Sequence, residues 1–494
     1  MALLPLKLPP GVFRSGTEYS SAGRWYDANL VRFYQTAIRP MGGWRELLTA
    51  TVSGAPRALY TWRANNATRW VAVGTHTGLY AIEGGITLYD ITPASFVTGR
   101  ADAGAANGYG TGAYGRSTYG DARPATTVSG ILDATIWSLD NWGQNLVAVS
   151  PSDGRLVEWS LNTANDAVVI ANSPTSCTAL VVTAERILVA LGAGGNPRRI
   201  QWSDQENNTV WTPSGTNQAG DFEFQTNGTL KRGLRVRGGT LYLTDVDAWF
   251  GVYQGPPLVF GFDRVGTGCG VVGSGAAAAL DTSAVWMGEA GFWIFDGYTK
   301  PLPCEVGDYV FGDINRSQIS KVSAVVNTTF GEVSWYYPSG SSTENDRYVT
   351  WSYRENHWTI GTLSRTAGDD SGVFDRPILT APNGQVWQHE VGWAYPGSAD
   401  PFLEGGPVEL GTGDDVYFVR QLIPDEATTG QVEVTFYPRL YPNAARTTVG
   451  PYSLSARTDT RLTGRQINMR ITGDAATSWR FGVPRIDVVP RGRR

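Results

Sequence analysis

The chain of 494 residues is poor in lysine, histidine, cysteine and methionine, and it carries no long helical pattern. Lysine occurs only as Lys7, Lys231, Lys300 and Lys321, so almost all of the 40 basic side chains are arginine. Arginine suits fixed, bidentate contacts at interfaces; a GC-rich coding bias gives the same excess. The three cysteines, Cys177, Cys269 and Cys304, are odd in number and widely spaced. That excludes a disulfide framework and a metal-finger spacing and points to a reducing site of synthesis. No apolar run approaches bilayer length. The first ten residues are too short and too proline-broken for a signal peptide. The expectation is a protein made in a cytoplasm, without membrane insertion. The net charge of -5 supplies no global basic field for nucleic acid.

Glycine is abundant, at 60 residues, as are Trp, Tyr and Phe, at 18, 22 and 17. Many turns and many aromatics without helical periodicity indicate an all-β protein. The nearest approach to a helix, residues 276–280, is too short to stand alone. Residues 284–298, AVWMGEAGFWIFDGY, read as two short strands joined by a tight glycine turn, with a second turn at Asp296-Gly297. This unit recurs seven times. With Val73, Ala148, Val189, Leu243, Trp286, Ser334 and Leu379 as markers, the gaps are 75, 41, 54, 43, 48 and 45 residues. All but the first match the length of a four-stranded propeller blade. The spacing predicts a β-propeller of six or seven blades over residues 51–395, with a flat sandwich array as the rival. An extended leader of residues 1–50 precedes it. A Pro/Gly-rich linker over 396–413 and a β-sandwich-like platform over 414–494 follow.

The oversized first gap has a visible cause. Residues 101–130 hold GYGTGAYGRSTYG, in which Tyr109, Tyr114 and Tyr119 recur every five residues beside Arg116. No packed strand or helix accommodates that composition, so it reads as an insertion between blades. It is either a partner- or lumen-facing loop or a plain surface loop. In the last 44 residues, nine arginines stand against three acids. Arg457, Arg461, Arg465, Arg470, Arg480 and Arg485 are the candidates for a subunit interface or a nucleic-acid-facing surface; a solvated strand face is the alternative.

Catalytic signatures are sparse. His76, His357 and His389 fall in different blades near turns, without metal-ligand spacing, and are expected as surface histidines. GTGCG, at 266–270, lacks the Gly-Lys-Ser/Thr continuation of a phosphate loop and reads as a turn. Asp204, Asp245, Asp247, Asp281 and Asp296 are the carboxylates a propeller glycosidase would draw on, although aspartate is common at strand-end turns for hydrogen-bonding reasons alone. Residues 202–211 approach the aspartate-box turn of sialidases, without its Ser-x-Asp-x-Gly order. No catalytic residue, cofactor or metal site is expected.

The leader motifs GVFRSGTEY (11–19), GRWYDANLVR (23–32) and IRPMGGW (38–44), the Gly/Tyr insertion, and the ending GRQINMR (464–470), WRFG (479–482) and RGR (491–493) resemble the tail-nozzle, or packaged-DNA-stabilising, virion proteins of short-tailed bacteriophages. The resemblance spans both ends and part of the middle. It implies a non-enzymatic structural protein of the phage tail, synthesised in the host cytoplasm. Such a protein would assemble as a six-fold homo-oligomeric ring below the portal and adaptor. It would meet tail fibres or spikes and pass double-stranded DNA without sequence-specific binding, with Tyr109, Tyr114, Arg116 and Tyr119 as a candidate gate. Two other expectations stand beside it: a receptor-binding or fibre-attaching tail protein, and a propeller glycosidase acting on host polysaccharide.

Overall fold

The computed structural model describes residues 2–35, 37–105, 131–411, 414–474 and 476–492. Seven four-stranded antiparallel sheets follow one another along the chain. Blade I comprises Pro56–Arg63, Arg69–Thr75, Leu79–Glu83 and Thr87–Asp90, and blade II runs from Ser138–Trp142 to Val168–Val169. Blades III and IV begin with Ala179–Val182 and Leu230–Val236, and blades V and VI with Ala277–Ala279 and Ser323–Asn327. Blade VII begins with Ala367–Asp369. Each first strand packs on the first strand of the next blade, and that of blade VII packs on blade I. The sheets therefore close into a seven-bladed propeller around an axis lined by first strands.

The seven sequence markers all fall on the second strand of a blade. Second strands are covered on both faces by neighbouring blades, which is why they read as continuous apolar runs rather than alternations. Leu188–Leu191 is buried throughout, and so is Ala284–Met287. The 284–298 hairpin forms the second and third strands of blade V, with Trp286 opposite Trp293. Ala277–Ala279, within the one helix-like stretch, is the innermost strand of that blade. Backbone pairing with Ala284–Met287 overrides alanine's helical preference there.

The leader is not a separate unit. Trp44–Glu46 supplies the fourth strand of blade VII, pairing with Val386–His389 through Trp44↔His389 and Glu46↔Trp387. Ala2–Pro5 and Trp25–Asn29 instead join the two sheets of the platform. The first has the order Ala2–Pro5, Arg485–Pro490, Tyr417–Ile423, Thr458–Gly464. The second runs Trp25–Asn29, Phe402–Gly405, Gln466–Gly473, Val432–Arg439, Val449–Ser453. Two strands correct the linker expectation for 396–413: Phe402–Gly405, and Val408–Glu409, which pairs with Gln466–Gly473. The glycines there serve close approach, since a Cβ on Gly406 would lie 2.2 Å from the Ser21 carbonyl oxygen. Trp479 lies outside any strand and packs against Gly473.

Between leader and propeller lies a buried ion triad. Arg32, from the hairpin Val31–Tyr34 and Ala37–Pro40, forks onto Glu332 at 3.1 and 2.9 Å and onto Glu390 at 3.0 and 2.6 Å. Its guanidinium carbon lies 3.6 Å from the Phe330 ring centroid. Both carboxylates are almost fully enclosed, and burial raises the Glu332 carboxyl above its ordinary range. Around them the platform core runs without a break into blades IV, V and VI. Among the described residues, no helix is long and apolar enough to cross a membrane.

Candidate functional site

The turns between second and third strands lie on the face of the propeller where first strands begin. On that face, blades IV and V leave a groove of about 710 Å³. Asp245 enters it from the turn between the second and third strands of blade IV, where its Oδ1 accepts the Thr229 amide at 2.8 Å. Glu289 enters from the tight turn of the blade V hairpin, closed by Gly288 N–H donating to the Gly291 carbonyl at 2.7 Å. Asp308 comes from the first turn of the short helix Gly307–Asp313, between blades V and VI, and its Oδ2 accepts from Ser15 Oγ at 2.5 Å. Glu289 is 87% exposed, with Arg316 3.8 Å away.

The floor is aromatic. Phe292 is buried, whereas Trp293 and Phe311 reach the surface of the groove. Two glycines make this geometry possible. A Cβ on Gly288 would lie 2.8 Å from Trp293 Nε1, and one on Gly270 would lie 1.9 Å from the Asp245 carbonyl oxygen. GTGCG is thus a turn, as expected, but its last glycine is required by the close approach of two chain segments. Trp293 Nε1 has no hydrogen-bond partner among the described residues. The groove therefore offers an apolar ring with a free N–H donor, flanked by three acceptor carboxylates. Cys304 also lines it, but burial pushes its thiol up to about 12, which removes it as a nucleophile.

The sequence-derived candidates are scattered. Of the five aspartates, Asp245 is in this groove. Asp204 caps the Gln218 amide at 2.8 Å, and Asp247 accepts Thr244 Oγ1 at 2.6 Å in a buried turn. Asp296 pairs with Lys300 at 2.6 Å, and Asp281 stands at one end of the axial channel. His357 and His389 are buried, at 5% and 8% exposure, correcting the expectation of surface histidines. Their rings fill inter-element space, His357 against Phe33 and His389 against Trp44. Among the described residues, no three His, Cys, Asp or Glu side chains gather as metal ligands.

Tyr109, Tyr114, Arg116 and Tyr119 lie outside the described residues. The neck of their insertion is a two-stranded ribbon, Gly104–Ala105 with Ile131–Leu132. It is anchored by Gln318 to both backbone groups of Ala103, at 2.9 and 2.8 Å, and by Lys231 to Asp133 at 2.8 Å. Of the six candidate arginines, Arg457, Arg461, Arg480 and Arg485 face solvent, while Arg465 is half-buried. Arg470 is engaged within the chain, 3.7 Å from the Phe402 ring centroid and 3.3 Å from Glu404. Arg461 and Arg485 belong to one platform sheet and Arg470 to the other. The groove itself was not found from sequence. Its signal was the pair of glycines around Glu289, which reads equally as an ordinary hairpin.

No family model matches the sequence, and neither does any curated protein. The fold has solved counterparts. Virginiamycin B lyase from Staphylococcus aureus is 5% identical, with a TM-score of 0.44 over 69% of this chain and 97% of that one. A streptogramin B lyase is 5% identical, with a TM-score of 0.43 over 70% and 96%. A catalytically inactive virginiamycin B lyase with quinupristin gives 0.41 at 4% identity, over 70% and 98%. The likeness is one of fold. These structures are lyases and not tail-nozzle proteins, and the expectation of a nozzle conduit is corrected on that finding.

Proposed function

We propose that the protein is a propeller enzyme that takes a saccharide in the groove between blades IV and V and hydrolyses a glycosidic bond there. The observation that supports this is the unpartnered Trp293 indole facing Asp245, Glu289 and Asp308 in one groove. An indole face packs on the apolar face of a sugar ring, and its N–H and the carboxylates bond hydroxyl groups. Two carboxylates flanking a glycosidic bond supply both halves of hydrolysis. One protonates the leaving oxygen, and the other activates the water that bonds to the anomeric carbon. Glu289, exposed at the groove mouth, suits the water side. Asp245, set against the blade IV turn, suits the leaving group. The test is a polysaccharide panel with reducing-end detection. Asp245→Asn and Glu289→Gln should each lower cleavage by roughly 10²-fold or more while saccharide binding persists, and Trp293→Ala should lose binding. Full cleavage by both carboxylate variants, or no saccharide bound by the wild-type chain, would overturn the proposal.

A further inference from the structure

The opposite face of the propeller, where first strands end, opens into a second space. It is an axial cavity of about 640 Å³, continuous with the narrow part of the channel through Arg232, which lines both. Arg232 stands on the first strand of blade IV, half-buried, and has no hydrogen-bond or ion-pair partner among the described residues. Three other cations beside the axis are matched. Arg57 forks onto Glu344 at 2.7 and 2.6 Å. Lys321 meets Asp102 and Glu344, and Arg235 meets Asp140 at 2.9 Å.

The two acids nearest in charge to Arg232 are already filled. Asp140 accepts from Arg235 through Oδ1 and from the Val182 amide through Oδ2, at 2.9 Å each. Asp369 accepts from the Thr61 amide and hydroxyl at 2.8 Å each, and from the Asp370 amide at 3.0 Å. A guanidinium with five donors and no acceptor is thus held in a confined space walled by Ala277, Ala278, Ala324 and Gly368, whose small side chains leave the room. At the rim, Asp281 is exposed, and among the described residues neither a hydrogen bond nor an ion pair reaches its carboxylate.

We propose that this axial cavity binds a small carboxylate. The carboxylate sits two-pronged on Arg232, and a cationic tail reaches toward Asp281, the chemistry of an amino acid with its charges set apart. Guanidinium and carboxylate match in geometry, and the confined site strengthens the pair. The acidic rim disfavours a multiply charged anion such as phosphate.

The test is calorimetric titration of the full chain at low salt with hexanoate, 6-aminohexanoate and inorganic phosphate. Hexanoate should bind saturably, 6-aminohexanoate about threefold tighter, and phosphate weakest. Arg232→Gln should weaken both carboxylates by about tenfold or more. Asp281→Asn should bring 6-aminohexanoate to the affinity of hexanoate. Should Arg232→Gln fail to fold, Arg232→Lys keeps the charge without the fork and should bind hexanoate at least about threefold more weakly. No saturable carboxylate binding by the wild-type chain, phosphate binding tightest, or unchanged carboxylate affinity in the Arg232 variants would each overturn the assignment.

Discussion

Single residues in this protein are held by partners far away in the chain, and His389 shows what that does to its chemistry. Its Nε2 accepts from Arg365 Nε at 2.8 Å, and Trp44 stacks on the ring at a centroid distance of 5.2 Å. Burial first, and the Arg365 charge second, hold the imidazole well below its ordinary range, so it is neutral in the fold. The same crowding lowers Arg365 to about 10. Below about pH 6.5 an unfolded histidine takes up a proton that the folded one refuses. Stability is therefore lost as pH falls from that value toward the depressed folded one, by at most about 1.4 kcal/mol per pH unit. His389→Gln keeps an acceptor for Arg365 and removes the titration. Urea midpoints at pH 7.5 and 5.5 should fall further in the wild type than in this variant, and an equal fall would remove the assignment.

At the scale of elements, the blade V hairpin carries its packing in Trp286. The side chain is fully enclosed, and its Nε1 donates to the Cys269 carbonyl at 2.6 Å, tying blade V to the segment leaving blade IV. Trp286→Ala should cost about 3–5 kcal/mol in chemical denaturation; under about 1 kcal/mol would mean that the hairpin is not part of the core. This element was legible in the sequence because its strands are short, apolar and bounded by glycine. Those signals are local, and the same signals located the second strand of every blade. What stayed illegible depends on pairing over long separations. The partners of Arg32 lie 300 and 358 residues away, so nothing near Arg32 announces a buried triad. The strands at 402–405 and 408–409 looked like linker because their glycines relieve contacts with Ser21 and Leu8, which only the folded chain brings close. The groove and the axial cavity share this property, since the groove is assembled from turns and the cavity from first strands of several blades that carry no common motif.

At the scale of the whole molecule, one leader stitches two domains. Trp44–Glu46 closes the propeller, Ala2–Pro5 and Trp25–Asn29 complete the platform, and Arg32 locks the junction. Removing residues 2–46 should therefore harm both domains together. Blade VII becomes three-stranded, and both platform sheets lose an edge strand. The expected result is a melting temperature well below that of the full chain and rapid proteolysis within 386–389; a melt within a few degrees of the full chain would contradict this view of the leader. The closing strand also constrains when the protein can exist at all. Its partner, Val386–His389, is made about 340 residues later, so at roughly 5–20 residues per second the ribosome leaves Trp44–Glu46 unpaired for about 17–70 s. Throughout that interval the nascent chain exposes an open sheet edge and an unclosed ring, and its demand for chaperone protection is set by the speed of translation rather than by the stability of the finished fold.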